Sequence, residues 1–265
     1  MDESECSRFD SLALKIRGGT KGAGMFRKYA CFFGGYDQFI FLDSDIVVLS
    51  SLDYVLQAFA NSSYDFLYFD SDMTMVYKPD FAVRMVAVYG SQGFNAGAFV
   101  SHKRAISELE LFGIAESARE MNENFVTGCV DQPVLNYVFD ILKRRVAHVT
   151  GVLPDVAISC WARTPFHYER KIDMAVDNQR KRVPFIHWAG CVYPSMVRKE
   201  LFLRWRTADL SFVDCCYVSI KFHYNRWRTT LAQTLKKWRS RLLNLLRGKT
   251  AWSQCVRKLR QAREH

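Results

Sequence analysis

Apolar segments of strand length alternate with segments of helical periodicity along the first 190 residues, and this alternation restricts the fold more than any other feature. Strand-like segments lie at residues 38–43, 64–70, 96–101, 145–149 and 184–188. Helical patterns lie between them, at residues 52–60, 103–121 and 132–142. Strands that alternate with helices predict a layered α/β domain with a largely parallel sheet. The polar, glycine-rich segment before about residue 24 is interpreted as a loop.

The basic charge of the chain lies almost entirely near its C-terminus. Residues 221–265 contain 13 basic residues and one acidic residue, whereas residues 1–220 contain 24 basic and 26 acidic residues. We therefore predict a globular domain over residues 1–220 and a basic tail over residues 221–265. Large apolar residues recur in the tail at intervals of three and four positions, at Trp227, Leu231, Leu235, Trp238, Leu242 and Leu245. This spacing predicts an amphipathic helix with a cationic face.

Two interpretations of this tail stay open. Its apolar stripe packs back on the domain, or it lies at the surface of an anionic membrane, where each basic residue contributes about 1 kcal/mol. Nucleic acid is a disfavoured partner, because no known reader motif accompanies the basic residues.

Cysteine spacing and the N-terminal residues predict a cytoplasmic location, or a peripheral one on the inner face of a membrane. The eight cysteines include no CxxC pair, so they are interpreted as reduced thiols rather than as zinc ligands. The start, "MDESECSRFD", is acidic and differs from a secretory signal. No run of about 18 apolar residues is present.

Two carboxylates interrupt the most apolar segment, "FIFLDSDIVVL", at Asp43 and Asp45. Burying such a pair without partners costs several kcal/mol, and a divalent cation is the usual remedy. Oxygen ligands at a strand end suit Mg²⁺ or Mn²⁺. An ordinary turn before the helix at 52–60 is the structural alternative. The same D-S-D pattern recurs at Asp70 and Asp72, which form either the true metal site or an acidic loop at the rim of the pocket. Asp43 and Asp45 are favoured as the metal site because the chain stays apolar beyond them.

Five segments in order resemble GT-A glycosyltransferases. They are "FRKYACFFGGYDQ", "FIFLDSDIVVLSSLD", "GFNAGAFVS", "VDQPVLNYV" and "FIHWAG". The set is similar to the glycogenin and galactinol-synthase-like group, and most similar to a largely cyanobacterial group of nucleotide-diphospho-sugar transferase-like proteins. The resemblance implies a Rossmann-like GT-A fold with a mixed sheet flanked by helices. Such a fold is expected to have an apolar strand and a helix before residue 38, and only residues 12–16 offer an apolar segment there, so we expect the first βα unit to be missing. It also implies a metal-dependent transfer of a sugar from a nucleotide-diphosphate donor to an acceptor that the sequence does not identify.

The resemblance assigns a role to each matching residue. Asp43, Asp45 and His187 would hold Mn²⁺ or Mg²⁺. Arg27 or Lys28 would add positive charge at the diphosphate. The remaining donor contacts would come from Ser44, Asn95, Ala96, Gly97 and Gly190. Asp131 and Gln132 would face the anomeric carbon, as a stabiliser or a base.

Each of these residues also has a structural interpretation. His187 would be a core histidine, Asn95 a turn residue, and Asp131 the N-cap of a helix that has Pro133 in its first turn. The Lys-Pro-Trp of the glycogenin-like group is replaced by Tyr193, Pro194 and Ser195. The alternative function is therefore a non-catalytic relative that binds a nucleotide or a partner and docks on membranes through its tail. A nucleotidyltransferase is disfavoured, since no glycine-rich phosphate loop opens the chain.

Overall fold

A computed structural model of the chain describes residues 3–17, 22–103, 105–128, 130–169 and 174–189, and the positions 211, 224, 227, 231–232, 234–238 and 240. The chain divides into two compact units, Met1–Ala189 and Gly190–His265. The predicted boundary at residue 220 lies outside the described residues.

The described residues of the first unit include five α-helices and eight strands. The helices are α1 (Glu3–Arg17), α2 (Asp53–Ala60), α3 (Pro79–Tyr89), α4 (Glu108–Glu120) and α5 (Gln132–Ile141). The strands are β1 (Gln38–Leu42), β2 (Ile46–Val48), β3 (Phe66–Tyr68), β4 (Ala98–His102), β5 (Val146–His148), β6 (Phe166–Glu169), β7 (Met174–Asp177) and β8 (Phe185–His187). Segments of 3₁₀ helix lie at Ala23–Phe33, Met73–Met75, Asn122–Asn124 and Val149–Gly151.

The main sheet has four strands in the order β1-β4-β3-β5 and is mixed. Strand β4 runs antiparallel to both β1 and β3, while β3 and β5 are parallel. Three strands therefore share one direction and β4 is reversed. The mixed sheet implied by the resemblance is confirmed, and the largely parallel sheet expected from the alternation is wrong, because the reversed strand lies between two of the others.

Both faces of the central strands β3 and β4 are buried, and the edge strands β1 and β5 are half-buried. This burial explains the continuous apolar runs of the strands. In β3, Phe66 and Tyr68 point into one hydrophobic cluster, and Leu67 points into a second cluster on the opposite face. Side chains from α1, α4, α5 and the 3₁₀ helix Ala23–Phe33 belong to the first cluster, and side chains of α2 belong to the second. A strand covered on both faces loses the alternation of apolar and polar residues. The strands predicted at 38–43, 64–70, 96–101 and 145–149 correspond to these four.

The N-terminal segment is a helix, not the loop expected before residue 24. Helix α1 buries four apolar side chains at the helical spacing i, i+3, i+4 and i+7, namely Phe9, Leu12, Ala13 and Ile16. Full burial of such side chains contributes about 1.5–3 kcal/mol each for the larger ones. The glycines of "IRGGTKGAG", which suggested a loop, come after the last residue of this helix in the sequence.

The predicted strand at 184–188 exists, but it is not part of the main sheet. Strand β8 pairs antiparallel with β2 in a separate two-stranded sheet, in which Ile46 lies opposite His187. Strand β2 follows the two carboxylates directly, so this pairing connects the D-S-D segment to the histidine segment.

Positions of the tail that the structure describes are helical, at Tyr224, Trp227, 231–232, 234–238 and 240. Its large apolar side chains at these positions are exposed: Trp227, Leu231, Leu235 and Trp238. The remainder of the predicted amphipathic helix lies outside the described residues. Within the described parts of the chain, no helix is both long enough and apolar enough to span a bilayer.

Candidate functional site

Three side chains that could bind a metal ion converge where β1 ends. The carboxylates of Asp43 and Asp45 and the imidazole of His187 each offer a ligand atom, and these atoms lie within 4.8 Å of one another. His187 is buried and both carboxylates are half-buried. Two carboxylate oxygens and one imidazole nitrogen form a donor set suited to Mn²⁺ or Mg²⁺.

A tight turn and a strand pairing bring these residues together. The amide of Ile46 donates to the carbonyl of Asp43 at 3.2 Å, which closes the turn through Ser44 and Asp45. Ile46 then starts β2, and its partner in β8 is His187. D-S-D therefore forms a turn, as its structural interpretation expected. The turn does not exclude metal binding, because it directs the carboxylates of Asp43 and Asp45 toward His187.

The backbone of Gly97 forms the wall beside this group. A Cβ atom at this position would lie 2.3 Å from Cε1 of His187 and 2.8 Å from both Oδ2 of Asp43 and Nε2 of His187. Real Cβ contacts are essentially never this short. Asp43 and His187 can therefore lie this close to the backbone of residue 97 only because it has no side chain. The two carboxylates and the imidazole that converge here fit a bound cation.

Electrostatics differ between the two carboxylates. Burial raises the pKa of Asp43, and the nearby Lys28 offsets part of this effect. Burial also acts to raise the pKa of Asp45, but the hydrogen bond and charge of His187 outweigh it and the pKa is lowered. Nε2 of His187 lies 3.3 Å from Oδ1 of Asp45. Nδ1 of His187 is buried, without a hydrogen-bond partner among the described residues.

Lys28 links Asp43, one of the three candidate ligands, to Asp131. Its ammonium lies 3.2 Å from Oδ1 of Asp43 and 2.9 Å from Oδ2 of Asp131, and it donates to the carbonyl of Ala96 at 3.1 Å. Burial acts to lower the pKa of Lys28, but the charges of Asp131 and Asp43 raise this pKa by a larger amount. The pKa of Lys28 therefore lies above the ordinary value. A buried lysine that stays charged supplies a fixed positive charge at this site.

Neighbouring Arg27 lies elsewhere. Its guanidinium forms a two-point ion pair with Asp10 of α1, at 2.9 and 2.6 Å. Of the two cations expected near the diphosphate, Lys28 is the one that contacts the candidate site.

A chain of amide hydrogen bonds joins Asn95 to Gln132. Nδ2 of Asn95 donates to Oε1 of Gln132 at 3.0 Å, and Oδ1 of Asn95 accepts from the amide of Gly97 at 2.8 Å. The same Oε1 of Gln132 accepts from the amide of Ala96 at 3.3 Å. The side-chain oxygen Oε1 of Gln132 therefore orients the 95–97 segment.

Asp131 is the N-cap residue of α5, as its structural interpretation expected. Its side chain makes no capping hydrogen bond, however. Its carbonyl accepts from the hydroxyl of the fully buried Tyr29 at 2.7 Å. The carboxylate is therefore directed to Lys28 and is not occupied by the helix.

Ser44 and the second D-S-D segment are described by the structure and do not belong to the group of Asp43, Asp45 and His187. Ser44 is an exposed turn residue, and Gly190 and Tyr193–Ser195 lie outside the described residues. Asp70 and Asp72 of the second D-S-D segment bind other partners. Oδ1 of Asp70 accepts from Ser159 and Cys160, and Asp72 accepts from Thr74. Among the described cysteines, Cys6, Cys31 and Cys160 are free thiols.

Asn136 is a supporting residue that the sequence reasoning missed. It is fully buried, its Oδ1 accepts from the amide of Phe94 at 2.9 Å, and its Nδ2 donates to the carbonyls of Phe94 and Gln132 at 2.8 and 2.9 Å. It therefore ties α5 to the segment that carries Asn95. An asparagine on the apolar face of a predicted helix was the available signal.

Comparisons with known proteins match these segments. The family model described as Glycosyl transferase family 8 matches residues 25–194. Among solved structures, the chain is similar to the apo structure of WbbM, a bifunctional glycosyltransferase, with 19% sequence identity and a TM-score of 0.37. That alignment covers 73% of this chain and 33% of WbbM, so the chain spans about a third of the length of that protein. No curated protein matches the chain significantly.

Proposed function

The chain belongs to glycosyl transferase family 8, and we propose that it transfers a sugar from a nucleotide-diphosphate donor to an acceptor, using a divalent cation held by Asp43, Asp45 and His187. The mixed sheet flanked by helices is consistent with the GT-A fold of such enzymes. The observation that supports this proposal most directly is the convergence of three candidate ligand atoms within 4.8 Å, two of them on side chains that lie against the backbone of Gly97.

The metal would supply charge neutralisation at the diphosphate leaving group. The residues of the chain complete the site. The ammonium of Lys28, whose raised pKa keeps it charged, would add a positive charge beside the same group. Asn95 and the backbone of Ala96 and Gly97 would bind sugar hydroxyls, held in orientation by Gln132.

In the proposed reaction, the bond between the anomeric carbon and the diphosphate oxygen breaks, and a bond from that carbon to an acceptor oxygen forms. The acceptor hydroxyl loses its proton to a base or to solvent, and the nucleoside diphosphate leaves. Asp131 is proposed to face the anomeric carbon as stabiliser or base, because its carboxylate lies beside Lys28 and is free of the helix cap. Gln132 is proposed to act through Asn95 rather than on the sugar.

Finer features are proposals as well. They are a hexose as the sugar, Mn²⁺ or Mg²⁺ as the cation, a kinship with the glycogenin and galactinol-synthase-like group or its cyanobacterial relatives, and a cytoplasmic or membrane-peripheral location.

Nucleotide release tests the enzyme proposal. Wild-type protein is incubated with UDP- and GDP-sugars and Mn²⁺, and free UDP or GDP is measured beside Asp45→Ala and Asp72→Ala. We expect release by the wild type, loss of release in Asp45→Ala, and retention in Asp72→Ala, which removes a carboxylate from the second D-S-D segment. Absence of turnover, together with nucleotide binding that does not depend on Mn²⁺ or Asp45, would refute the proposal.

A second candidate function is a non-catalytic domain that docks on membranes. The observation in its favour is the exposure of Trp227, Leu235 and Trp238, at 61, 60 and 66%, on a helical segment of a strongly basic tail. Aromatic and aliphatic side chains beside basic residues suit an anionic bilayer surface. Sedimentation of the full chain with phosphatidylserine vesicles would be unaffected by Asp45→Ala and reduced by Trp227→Ala with Trp238→Ala. Binding unaffected by the tryptophan changes would count against this function.

A further inference from the structure

Arg17, at the end of α1, holds the segment that precedes the proposed catalytic carboxylate. Its Nε donates to the carbonyl of Val130 at 2.9 Å, and one terminal nitrogen donates to Oδ1 of Asn122 at 2.7 Å. The guanidinium carbon lies 5.7 Å from the centroid of the Phe125 ring. One half-buried side chain therefore fixes three points of the 122–130 segment.

Two further N-terminal residues act on the same short stretch. The hydroxyl of Tyr29 donates to the carbonyl of Asp131 at 2.7 Å. Gly22 has φ of +80°, and a Cβ atom there would lie 2.9 Å from both methyl carbons of Val130. Successive carbonyls, of Val130 and Asp131, are thus each held by a side chain from the first 30 residues.

We infer that Arg17 is a positioning residue for Asp131: through the carbonyl of Val130 it sets where the carboxylate of Asp131 lies relative to Lys28 and Asp43. This inference rests on the proposed function of the site. The segment matched by the family model begins at residue 25, so Arg17 and α1 lie outside it. The support that Arg17 gives to Asp131 therefore comes from outside the family-matched region, whereas Tyr29 lies inside it.

The guanidinium suits this task better than an ammonium would. Its planar fork donates in two fixed directions at once and stacks on an aromatic ring, whereas lysine is a point charge on a flexible stem. Without it, the carbonyl of Val130 loses its side-chain donor and Asp131 is no longer held from this side. A displacement of about 1 Å at a reacting group can lower turnover by about 10²-fold.

An open cavity beside Arg17 makes the inference testable by chemical rescue. The cavity has a volume of about 530 Å³ and is lined by Leu14, Lys15, Ile16, Arg17, Arg119 and Asn122. Guanidinium ion added to the solution could therefore reach the space left by Arg17→Ala. Arg119→Ala, in the same cavity, is the matched control, because the side chain of Arg119 forms no hydrogen bond or ion pair with any residue that the structure describes.

Turnover and binding are measured separately on the full chain. We expect Arg17→Ala to lower kcat by about 10- to 100-fold, with the donor KM and the affinity for Mn²⁺ with UDP changed less than about twofold. Arg17→Lys should fall between wild type and Arg17→Ala. Guanidinium chloride at millimolar concentration should restore part of the turnover in Arg17→Ala and none in Asp131→Ala, and Arg119→Ala should resemble the wild type.

A double variant tests whether Arg17 acts through Asp131. If it does, Arg17→Ala with Asp131→Ala turns over no more slowly than Asp131→Ala alone, because residues that act as a unit are not additive. Additive losses would overturn the inference, as would an unchanged kcat in Arg17→Ala. If Arg17→Ala does not fold, Arg17→Lys and Asn122→Ala carry the same comparisons.

Amide hydrogen exchange separates failure of this inference from failure of the proposed function. The amides of Val134 and Leu135 donate to the carbonyl of Asp131, so they should exchange faster in Arg17→Ala than in Arg119→Ala. A wild type without turnover refutes the function and leaves this readout intact. Equal exchange in the two variants refutes the inference whatever the turnover is.

Discussion

Replacing Gly97 by alanine tests the geometry of the proposed metal site with a single methyl group. The new Cβ would lie 2.3 Å from Cε1 of His187 and 2.8 Å from Oδ2 of Asp43. These two atoms belong to candidate ligands whose side chains are buried or half-buried. Both side chains must therefore move for the methyl group to fit. The amide of Gly97 donates to Asn95 Oδ1, and its carbonyl accepts from the amide of Asp43 at 2.7 Å, which leaves the backbone little freedom to retreat.

Two costs follow from this overlap. Extra volume in a packed region destabilises the fold by about 1–3 kcal/mol. Displacement of two of three ligands lowers metal affinity by at least the 10- to 100-fold that is typical when only a ligand's supporting partner is lost. We therefore expect Gly97→Ala to remain folded and to bind Mn²⁺ more than about tenfold more weakly.

Titration calorimetry with Mn²⁺ in the presence of UDP measures this change directly. Gly113→Ala is the matched control: a Cβ at this exposed position of α4 meets no atom within 4 Å, and alanine stabilises a helix by about 0.5–1 kcal/mol relative to glycine. The control should bind Mn²⁺ as the wild type does. If Gly97→Ala binds Mn²⁺ with wild-type affinity, the space between these residues is not where the metal lies.

Three further predictions concern stability. Asn136→Ala leaves the backbone groups of Phe94 without their partner, at about 1–3 kcal/mol for each unsatisfied group, so urea unfolding should show a loss of about 3 kcal/mol; a loss below about 1 kcal/mol would contradict the pairing. Burial raises the pKa of Asp140 from 3.8 to about 6, so its folded state favours the protonated carboxyl and loses stability as the pH rises through about 6. Asp140→Asn should therefore raise the free energy of unfolding by about 3 kcal/mol at pH 8 and by little at pH 4, and equal effects at both pH values would refute the burial argument. Ser107→Ala breaks a capping box with Glu110 and should cost about 1 kcal/mol in thermal unfolding; an unchanged melting temperature would show that the box contributes nothing.

Local sequence patterns predicted many of the strands and helices of the fold. The strand before Asp43, the helix that begins after Asp131 and the strand at His187 follow from apolar runs and cap signals that short segments contain. The direction of β4 does not. Whether a strand runs with or against its neighbours depends on which strands pair across the sheet, and nothing within residues 96–101 encodes that choice.

The candidate site shows the same division. Asp43 and Asp45 attract attention as charges in an apolar run, whereas His187 comes next to them only through the pairing of β2 with β8, about 140 residues apart. The ordered motifs predicted that encounter by resemblance, and spacing alone could not. Helix α1 was missed for a different reason: the glycines after it drew the interpretation to a loop, although Phe9, Leu12 and Ile16 have helical spacing.

Anomalous diffraction at the manganese absorption edge, from crystals grown with Mn²⁺ and UDP, tests the central claim most directly. The proposed function predicts an anomalous peak enclosed by Asp43, Asp45 and His187, and no such peak in crystals of Asp45→Ala. A peak at Asp70 and Asp72, or none at either D-S-D segment while UDP is bound, would contradict it.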